Sequence, residues 1–305
     1  MPRVLITGVD GFTGRYQAQV FGSAGYEVHG LVRDPVPGGI EGVSRLHVAN
    51  LSDPAALAEV VKQARPEMVV HLAGIAFVQH GDVGAIYEVN LTGTRHLLEA
   101  LSAAATPPDA VLLASSANVY GNATAGVLDE STPFAPANDY AVSKVAMEYV
   151  AKLHANRLPI IIGRPFNYTG VGQSESFLIP KIVSHIRRRL PVIELGNLDV
   201  ARDFLDVRTV VEYYRRLLEN PAARGGTFNI CSGIAYTLQQ VLDMAREVSG
   251  WDFEVRINPA FVRSSEVRSL CGSPAKLIGT AGPTAQPTLR ETLRWMIEAP
   301  AAGRS

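Results

Sequence analysis

The chain has 305 residues, 47% of them hydrophobic, and a formal net charge of −1. That length and apolar fraction suit one large domain or two intimately joined ones, and the near-zero charge argues against nucleic acid or an anionic membrane as the main partner. No apolar run approaches the roughly 20 residues that cross a bilayer. Met1-Pro2-Arg3 leaves no room for a signal peptide ahead of the first strand, and Cys231 and Cys271 lack metal-ligand spacing, so buried free thiols and a cytoplasmic location are expected.

The first predicted strand, Val4–Thr7, enters Thr7-Gly8-Val9-Asp10-Gly11-Phe12-Thr13-Gly14 and then a helical stretch from Phe12 to Ala24. A buried strand that ends in a glycine turn ahead of a helix lets the main chain approach a pyrophosphate, and the helix N-terminus offers free N–H groups to it. In this Gly-x-x-Gly-x-x-Gly spacing, Gly8 is expected to make the turn, Gly11 to leave room for the phosphates, and Gly14 to let the helix pack closely on the strand.

Strands follow at Glu27–Val32, Arg45–Val48, Met68–Leu72, Ala110–Ser115 and Pro159–Arg164, with helical patterns near Pro54–Ala64, Val89–Ala105 and Tyr140–Asn156 between them. Several of these strands are apolar throughout, as strands covered on both faces are. The alternation predicts a doubly wound parallel α/β sheet of the Rossmann type. The second strand ends Leu31-Val32-Arg33-Asp34. An arginine there accommodates the extra phosphate of NADP, so Arg33 favours NADPH, while Asp34 leaves NADH open.

After Arg164 the alternation fails. A polar loop with Gly170, Gly172, Gln173, Ser174 and Ser176 precedes a helix near Leu178–Arg189, and a helix near Val210–Leu218, a strand at Thr227–Cys231 and a helix near Leu238–Val248 come later. This predicts a dinucleotide-binding domain over 1–165 with return segments about 203–232, the chain crossing back into the sheet near Phe204 and Thr227. A smaller α/β substrate lobe is expected from 166–202 and 233–305, with a loose tail from Ala299.

Tyr140 and Lys144 stand four apart, one above the other on a helix face, so that an ammonium can lower the pKa of a phenol that titrates near pH 10 in water. Ser116 closes a buried strand, at the edge where open α/β sheets place their ligands. Tyr-x-x-x-Lys also occurs on ordinary amphipathic helices; the strand, Ser116 and the glycine turn give it a chemical setting. Ser116, Tyr140 and Lys144 are therefore the expected catalytic group, with Tyr140 as acid, Ser116 holding the substrate oxygen beside it, and Lys144 lowering the Tyr140 pKa. His71, in an apolar strand, reads as a satisfied core histidine, and Arg187-Arg188-Arg189 as a solvated helix end.

The glycine turn, His71-Leu72-Ala73-Gly74, Asn90, Ser115-Ser116-Ala117-Asn118-Val119-Tyr120-Gly121, Tyr140 with Lys144, and Arg164-Pro165-Phe166-Asn167 together resemble the extended short-chain dehydrogenases that act on nucleotide-diphosphate sugars. The resemblance covers nearly the whole chain. It implies a cofactor site of Gly8, Gly11, Phe12, Thr13, Gly14, Arg33, Asn50, Leu51, Leu72, Ala73, Gly74, Asn90, Tyr140, Lys144 and Pro165. Asn50-Leu51 stands where the family usually has aspartate and an apolar residue beside adenine. The dehydratases of the family carry Thr-Asp-Glu where this chain has Ser116-Ala117-Asn118. Elimination of water needs an acid and a base that Ala117 and Asn118 do not supply. Asn118 also replaces the cysteine of the epimerase-reductases that make GDP-fucose. Hydride transfer at C4 remains, as a one-way reduction or as a 4-epimerisation with tightly held NAD.

The later segments are similar to the GDP-mannose branch, above all to its reductases of GDP-linked 4-keto-6-deoxy sugars. That similarity implies substrate contacts from Phe77, Ser116, Ala117, Asn118, Asn167, Lys181, Asn197, Arg202, Arg263 and Glu266. Arg202 with Asp203, and Arg263 with Glu266, also fit plain ion pairs, and Phe77 fits either a pocket wall or simple packing. Tyr168 departs from the histidine usual in these reductases. The helices near Val89–Ala105 and Tyr140–Asn156 correspond to those of the family's four-helix dimer contact, so a homodimer is expected.

Overall fold

Val4, Leu5 and Ile6 have no exposed surface, and a strand without a wet face needs a parallel sheet covered by helices on both sides. A computed structural model, describing residues 1–76, 81–121, 126–262 and 268–300, places them so. In chain order the elements are β1 (Arg3–Thr7), α1 (Phe12–Ser23), β2 (Glu27–Val32), β3 (Arg45–Val48), α2 (Pro54–Ala64), β4 (Met68–His71), α3 (Val83–Tyr87), α4 (Thr94–Ser102), β5 (Ala110–Ala114), β6 (Val127–Leu128) and α5 (Asp139–Leu153). Then come β7 (Ile160–Pro165), β8 (Asn167–Thr169), α6 (Leu178–Arg187), β9 (Val192–Leu195), β10 (Ala201–Asp206), α7 (Val207–Glu219), β11 (Thr227–Ile230), β12 (Ala235–Thr237), α8 (Leu238–Ser249), β13 (Glu254–Ile257), β14 (Ser269–Gly272), α9 (Ala275–Ala281) and α10 (Leu289–Glu298).

Seven parallel strands form the main sheet in the order β11-β7-β5-β4-β1-β2-β3. Phe21, Val210 and Tyr214 pack on one face, and Leu57, Leu97 and Met147 on the other. Strand order reverses at β1, whose neighbours are β2 and β4, so the crevice at its C-terminal end is where a doubly wound sheet takes its ligand. Asn138 caps α5 by accepting from the Ala141 N–H at 2.9 Å, which starts the helix just before Tyr140.

Two sequence expectations need correction. The chain re-enters the main sheet near Thr227, through β11, but not near Phe204, because β10 joins a second sheet ordered β12-β10-β14-β6 with β8 alongside β10. Asp203 on β10 explains the attachment: its buried carboxylate accepts from Ser232 N–H at 2.8 Å, Ser232 Oγ at 2.7 Å and Gly233 N–H at 2.9 Å. The helix expected over Val89–Ala105 is also interrupted, by a wide π turn over Glu88–Gly93 between α3 and α4. The wider turn brings Asn90 onto the main chain of Ile75, where Oδ1 accepts at 2.8 Å and Nδ2 donates at 3.1 Å.

His71 is the satisfied core histidine its setting predicts. The Thr7 hydroxyl accepts from Leu72 and Ala73 N–H groups and so donates to Nδ1 at 2.7 Å; the Thr94 hydroxyl donates to Asn90 O and so accepts from Nε2 at 2.9 Å. Only the neutral imidazole satisfies this arrangement, and burial pushes the pKa down to about 3. The unfolded chain therefore binds a proton that the folded chain refuses. The His71 contribution is intact above about pH 6.5 and is lost as pH falls towards 3, at a slope reaching about 1.4 kcal/mol per pH unit. Urea melts between pH 7 and 4 should show a flatter acid slope for His71→Gln than for wild type; equal slopes would remove His71 as the cause.

Candidate active site

The glycine turn is built by contacts that leave no room for side chains. Gly8 adopts φ +65°, and a Cβ there would stand 2.8 Å from Ala73 Cα; one at Gly14 would collide with the Gly8 carbonyl oxygen. Helix α1 begins at Gly11 without a side-chain cap, unlike α2, α5 and α7, whose first N–H groups are capped by Asp53, Asn138 and Asp206. Uncapped donors beside a cradle that any Cβ would fill fit a dinucleotide pyrophosphate. From here a cavity of about 770 Å³ runs past Leu72, Gly74, Ser116, Tyr140, Lys144 and Pro165 to Asn167, Lys181, Asn197, Arg202 and Phe261.

Ser116, Tyr140 and Lys144 meet in its wall. Ser116 starts a short 3-10 turn over Ala117–Tyr120, and its Oγ accepts from the Asn118 N–H at 3.2 Å and Asn118 Nδ2 at 3.1 Å. Its own proton is then free to point towards the Tyr140 phenol, whose pKa Ser116 acts to lower. Lys144 Nζ donates to Ala114 O at 2.8 Å and stands 6.0 Å from the centre of the Tyr140 ring.

Burial dominates the protonation of both groups. Burial, opposed by the Ser116 hydrogen bond and reinforced by Tyr168, pushes the Tyr140 phenol up to about 12 instead of down. Burial also draws the Lys144 ammonium down to about 8, against the pull of Glu148. The lysine spends its hydrogen bond on a main-chain carbonyl. Tyr140 is thus held as the neutral acid at neutral pH, ready to give a proton.

Other expected contacts take different places. Ala117 is 1% exposed and packs inward with Val119, Tyr120 and Phe166, because the 3-10 turn aims its methyl at the core; it does not line the cavity. Ala73 backs Gly8, and its N–H is held by Thr7 at 3.1 Å, while the Asn90 amide is engaged by Ile75 and Ser143; both residues shape the wall from behind. Arg33, Asn50 and Leu51 follow β2 and β3 beyond the cavity lining. Arg33 is exposed and paired with Asp34 at 2.8 Å, Asn50 Oδ1 accepts from Ser52 N–H at 3.1 Å, and Leu51 packs in the core.

On the substrate side, Asn167 Nδ2 donates to Asp203 O at 3.4 Å, and Lys181 Nζ to Glu194 O at 2.7 Å while lying 4.1 Å from the Phe261 ring centre. Arg202 donates to Ala201 O and Arg268 O at 2.9 and 3.2 Å. Phe77, Arg263 and Glu266 lie outside the described residues. Several lining residues lie outside the expected site, among them Phe166, Gln173, Phe261 and Tyr168. Tyr168 bonds its hydroxyl to Thr13 Oγ1 at 2.8 Å and stacks on Phe12, tying the glycine turn to β8. Its departure from the usual histidine was the available signal.

A Rossmann sheet, a glycine turn at its switch point and a Ser/Tyr/Lys group beside it define an NAD(P)-dependent oxidoreductase. The chain belongs to the NAD dependent epimerase/dehydratase family, whose model matches residues 4–231, and its motifs place it among the extended short-chain dehydrogenases that act on nucleotide-diphosphate sugars. It is 32% identical over 280 residues to the GDP-6-deoxy-D-talose 4-dehydrogenase of Aggregatibacter actinomycetemcomitans, covering 92% of this chain and 91% of that one. It is 33% identical over 304 residues to the GDP-6-deoxy-D-mannose reductase of Pseudomonas aeruginosa, covering 96% and 95%. Among solved structures, a Burkholderia cenocepacia J2315 protein described as a candidate epimerase has TM-score 0.91 and 52% identity, and RMD from Pseudomonas aeruginosa complexed with NADPH has 0.82 and 30%; each comparison covers 97% of both chains.

Proposed function

We propose that this protein reduces the 4-keto group of GDP-4-keto-6-deoxy-D-mannose with NADPH, giving GDP-D-rhamnose. The carrying observation is the turn after β5: Ala117 faces the core and Asn118 holds Ser116, so this turn offers the acid and base of dehydration at neither position, while Tyr140 stands protonated beside Ser116. When bound, the reduced nicotinamide supplies a hydride. Ser116 orients the C4 oxygen and Tyr140 donates its proton to it, so the carbonyl gains one hydride at carbon and one proton at oxygen. Lys144 offers a cation to the nicotinamide ribose, and Asn167, Lys181, Asn197 and Arg202 hold the GDP-sugar, cations facing its diphosphate.

NADPH is favoured by the exposed Arg33 after β2 and by the related structure solved with NADPH. The 4-dehydrogenase relative supports the same keto sugar with the 6-deoxy-D-talose configuration as product, and the epimerase-described relative supports a 4-epimerase that keeps NAD bound. In this reading β8, β10 and residues from 233 onward form the substrate lobe. The protein works as a homodimer through α4 and α5, the latter exposing Val142, Tyr149 and Leu153. No helix among the described residues is long and apolar enough to cross a membrane, and a cytoplasmic workplace is part of the proposal.

The test supplies GDP-4-keto-6-deoxy-D-mannose freshly made by a dehydratase, follows NADPH and NADH oxidation in parallel, and identifies the sugar by NMR. GDP-D-rhamnose formed with NADPH supports the proposal. GDP-6-deoxy-D-talose would reverse the C4 assignment, and interconversion of UDP- or GDP-hexoses without added reductant would replace the reductase with an epimerase.

A further inference from the structure

Helix α5 places Tyr140, Lys144 and Glu148 at i, i+4 and i+8 on one face. Glu148 is 3% exposed and Arg164, on β7, is 5% exposed. The guanidinium holds the carboxylate with two bonds, Nε to Oε1 at 2.9 Å and Nη2 to Oε2 at 2.6 Å, and Ser115 Oγ donates to the same Oε1 at 2.6 Å. Arg164 Nη1 continues to the Tyr120 hydroxyl at 2.8 Å, which donates to Asn229 Oδ1 at 2.7 Å on β11. Three of these residues adjoin the site: Ser115 precedes Ser116, Glu148 follows Lys144 by one turn, and Arg164 precedes Pro165.

Two charges buried this deeply lose their hydration, and apolar residues of similar volume would hold the strands and helix together at least as well. What apolar packing cannot supply is direction. Forked bonds fix the rotation of α5 and the height of β5 against β7, the coordinates that set Ser116 against Tyr140. We infer that the buried Glu148–Arg164 pair, joined by Ser115, is the positioning element that holds Ser116, Tyr140, Lys144 and Pro165 in register. This rests on reading those residues as the reacting site.

The pair also places an anion one turn from Lys144. The other polar and charged groups facing it are Arg164 from β7, Ser115 just after β5, the Tyr120 phenol and, near Arg164 at 3.4 Å, the Glu130 main-chain oxygen. Glu130 directs its carboxylate to the Asn229 N–H instead, and His71, whose pKa burial and then the Lys144 charge draw down, stays neutral. Glu148 is the anion that supports the Lys144 charge. Losing it should move the Lys144 titration to lower pH.

Three variants test this: Glu148→Gln, the paired Glu148→Leu with Arg164→Met, and Ser115→Ala. NADPH binding from pH 6 to 10, followed by fluorescence, needs no sugar and so separates this inference from the proposed reaction; a wild type that binds NADPH but leaves the keto sugar unreduced would overturn only the latter. The paired variant is expected to melt at or above the wild-type temperature and still lose roughly 100-fold in kcat. Its NADPH-binding limb and that of Glu148→Gln should fall by about one pH unit. Ser115→Ala, which removes no charge but one buried hydrogen bond to the carboxylate, should lose about fivefold in kcat while lowering the melting temperature by only a few degrees. A folded paired variant with kcat within twofold of wild type and an unmoved binding limb would overturn the inference. Should the paired variant fail to fold, Ser115→Ala with wild-type kcat would do the same.

Discussion

Tyr140→Phe should reduce kcat by roughly 10²- to 10⁴-fold, the usual contribution of a positioned general acid. The substitution removes one oxygen from a side chain 7% exposed and keeps the ring near Lys144. Wild-type Tyr140 is protonated across the working range because burial holds its pKa near 12, so it enters the reaction as an acid without any preceding proton uptake. Phenylalanine has no proton to give, and Ser116 alone orients the oxygen without supplying the driving force. NADPH affinity should stay within about threefold, since the glycine turn and Lys144 are untouched. Fluorescence titration and single-turnover kinetics separate the two quantities, and turnover within tenfold of wild type would remove Tyr140 as the acid. Wild-type kcat/KM should fall as pH rises through about 8: Lys144 is active as the ammonium, and burial has brought its pKa down to that value.

Gly14→Val should weaken NADPH binding by roughly 100-fold, or about 2.8 kcal/mol. A Cβ at Gly14 would overlap the Gly8 carbonyl oxygen and stand 2.6 Å from Val9 Cα. Both obstacles are main chain, so α1 has to lift off the turn, and its uncapped N–H groups leave the place where a pyrophosphate would meet them. The control is Gly279→Ala in α9, where a Cβ meets nothing within 4 Å. There, alanine should leave binding unchanged and add up to about 1 kcal/mol of stability. Equal NADPH affinity in Gly14→Val and wild type, by isothermal titration, would move the cofactor away from this turn.

Much of this enzyme is readable from contiguous residues. The apolar run Val4–Ile6, the glycines at 8, 11 and 14 and the spacing of Tyr140 and Lys144 each encode a local geometry, and the structure has the strand, the turn and the shared helix face that they specify. The alternation of strands and helices likewise leads to the parallel sheet, since strands wet on neither face have no other stable arrangement. The order β11-β7-β5-β4-β1-β2-β3 then puts the turn at the switch point.

The remainder depends on partners distant in the chain. Thr13 meets Tyr168 across 155 residues, Asp203 draws β10 into the second sheet through Ser232 and Gly233, and Asn90 reaches Ile75 only because a π turn widens its helix. Ala117 reads as a pocket residue by its position after Ser116 but packs inward, as the fold of the 3-10 turn dictates. The protonation of the site shows the division most sharply. Sequence spacing alone determined that Tyr140 and Lys144 share a face; the tertiary structure decided that Tyr140 is an acid near 12 and Lys144 a cation near 8. Spacing along a helix is a property of local geometry, whereas a pKa is set by how much water the whole fold removes and which distant groups replace it.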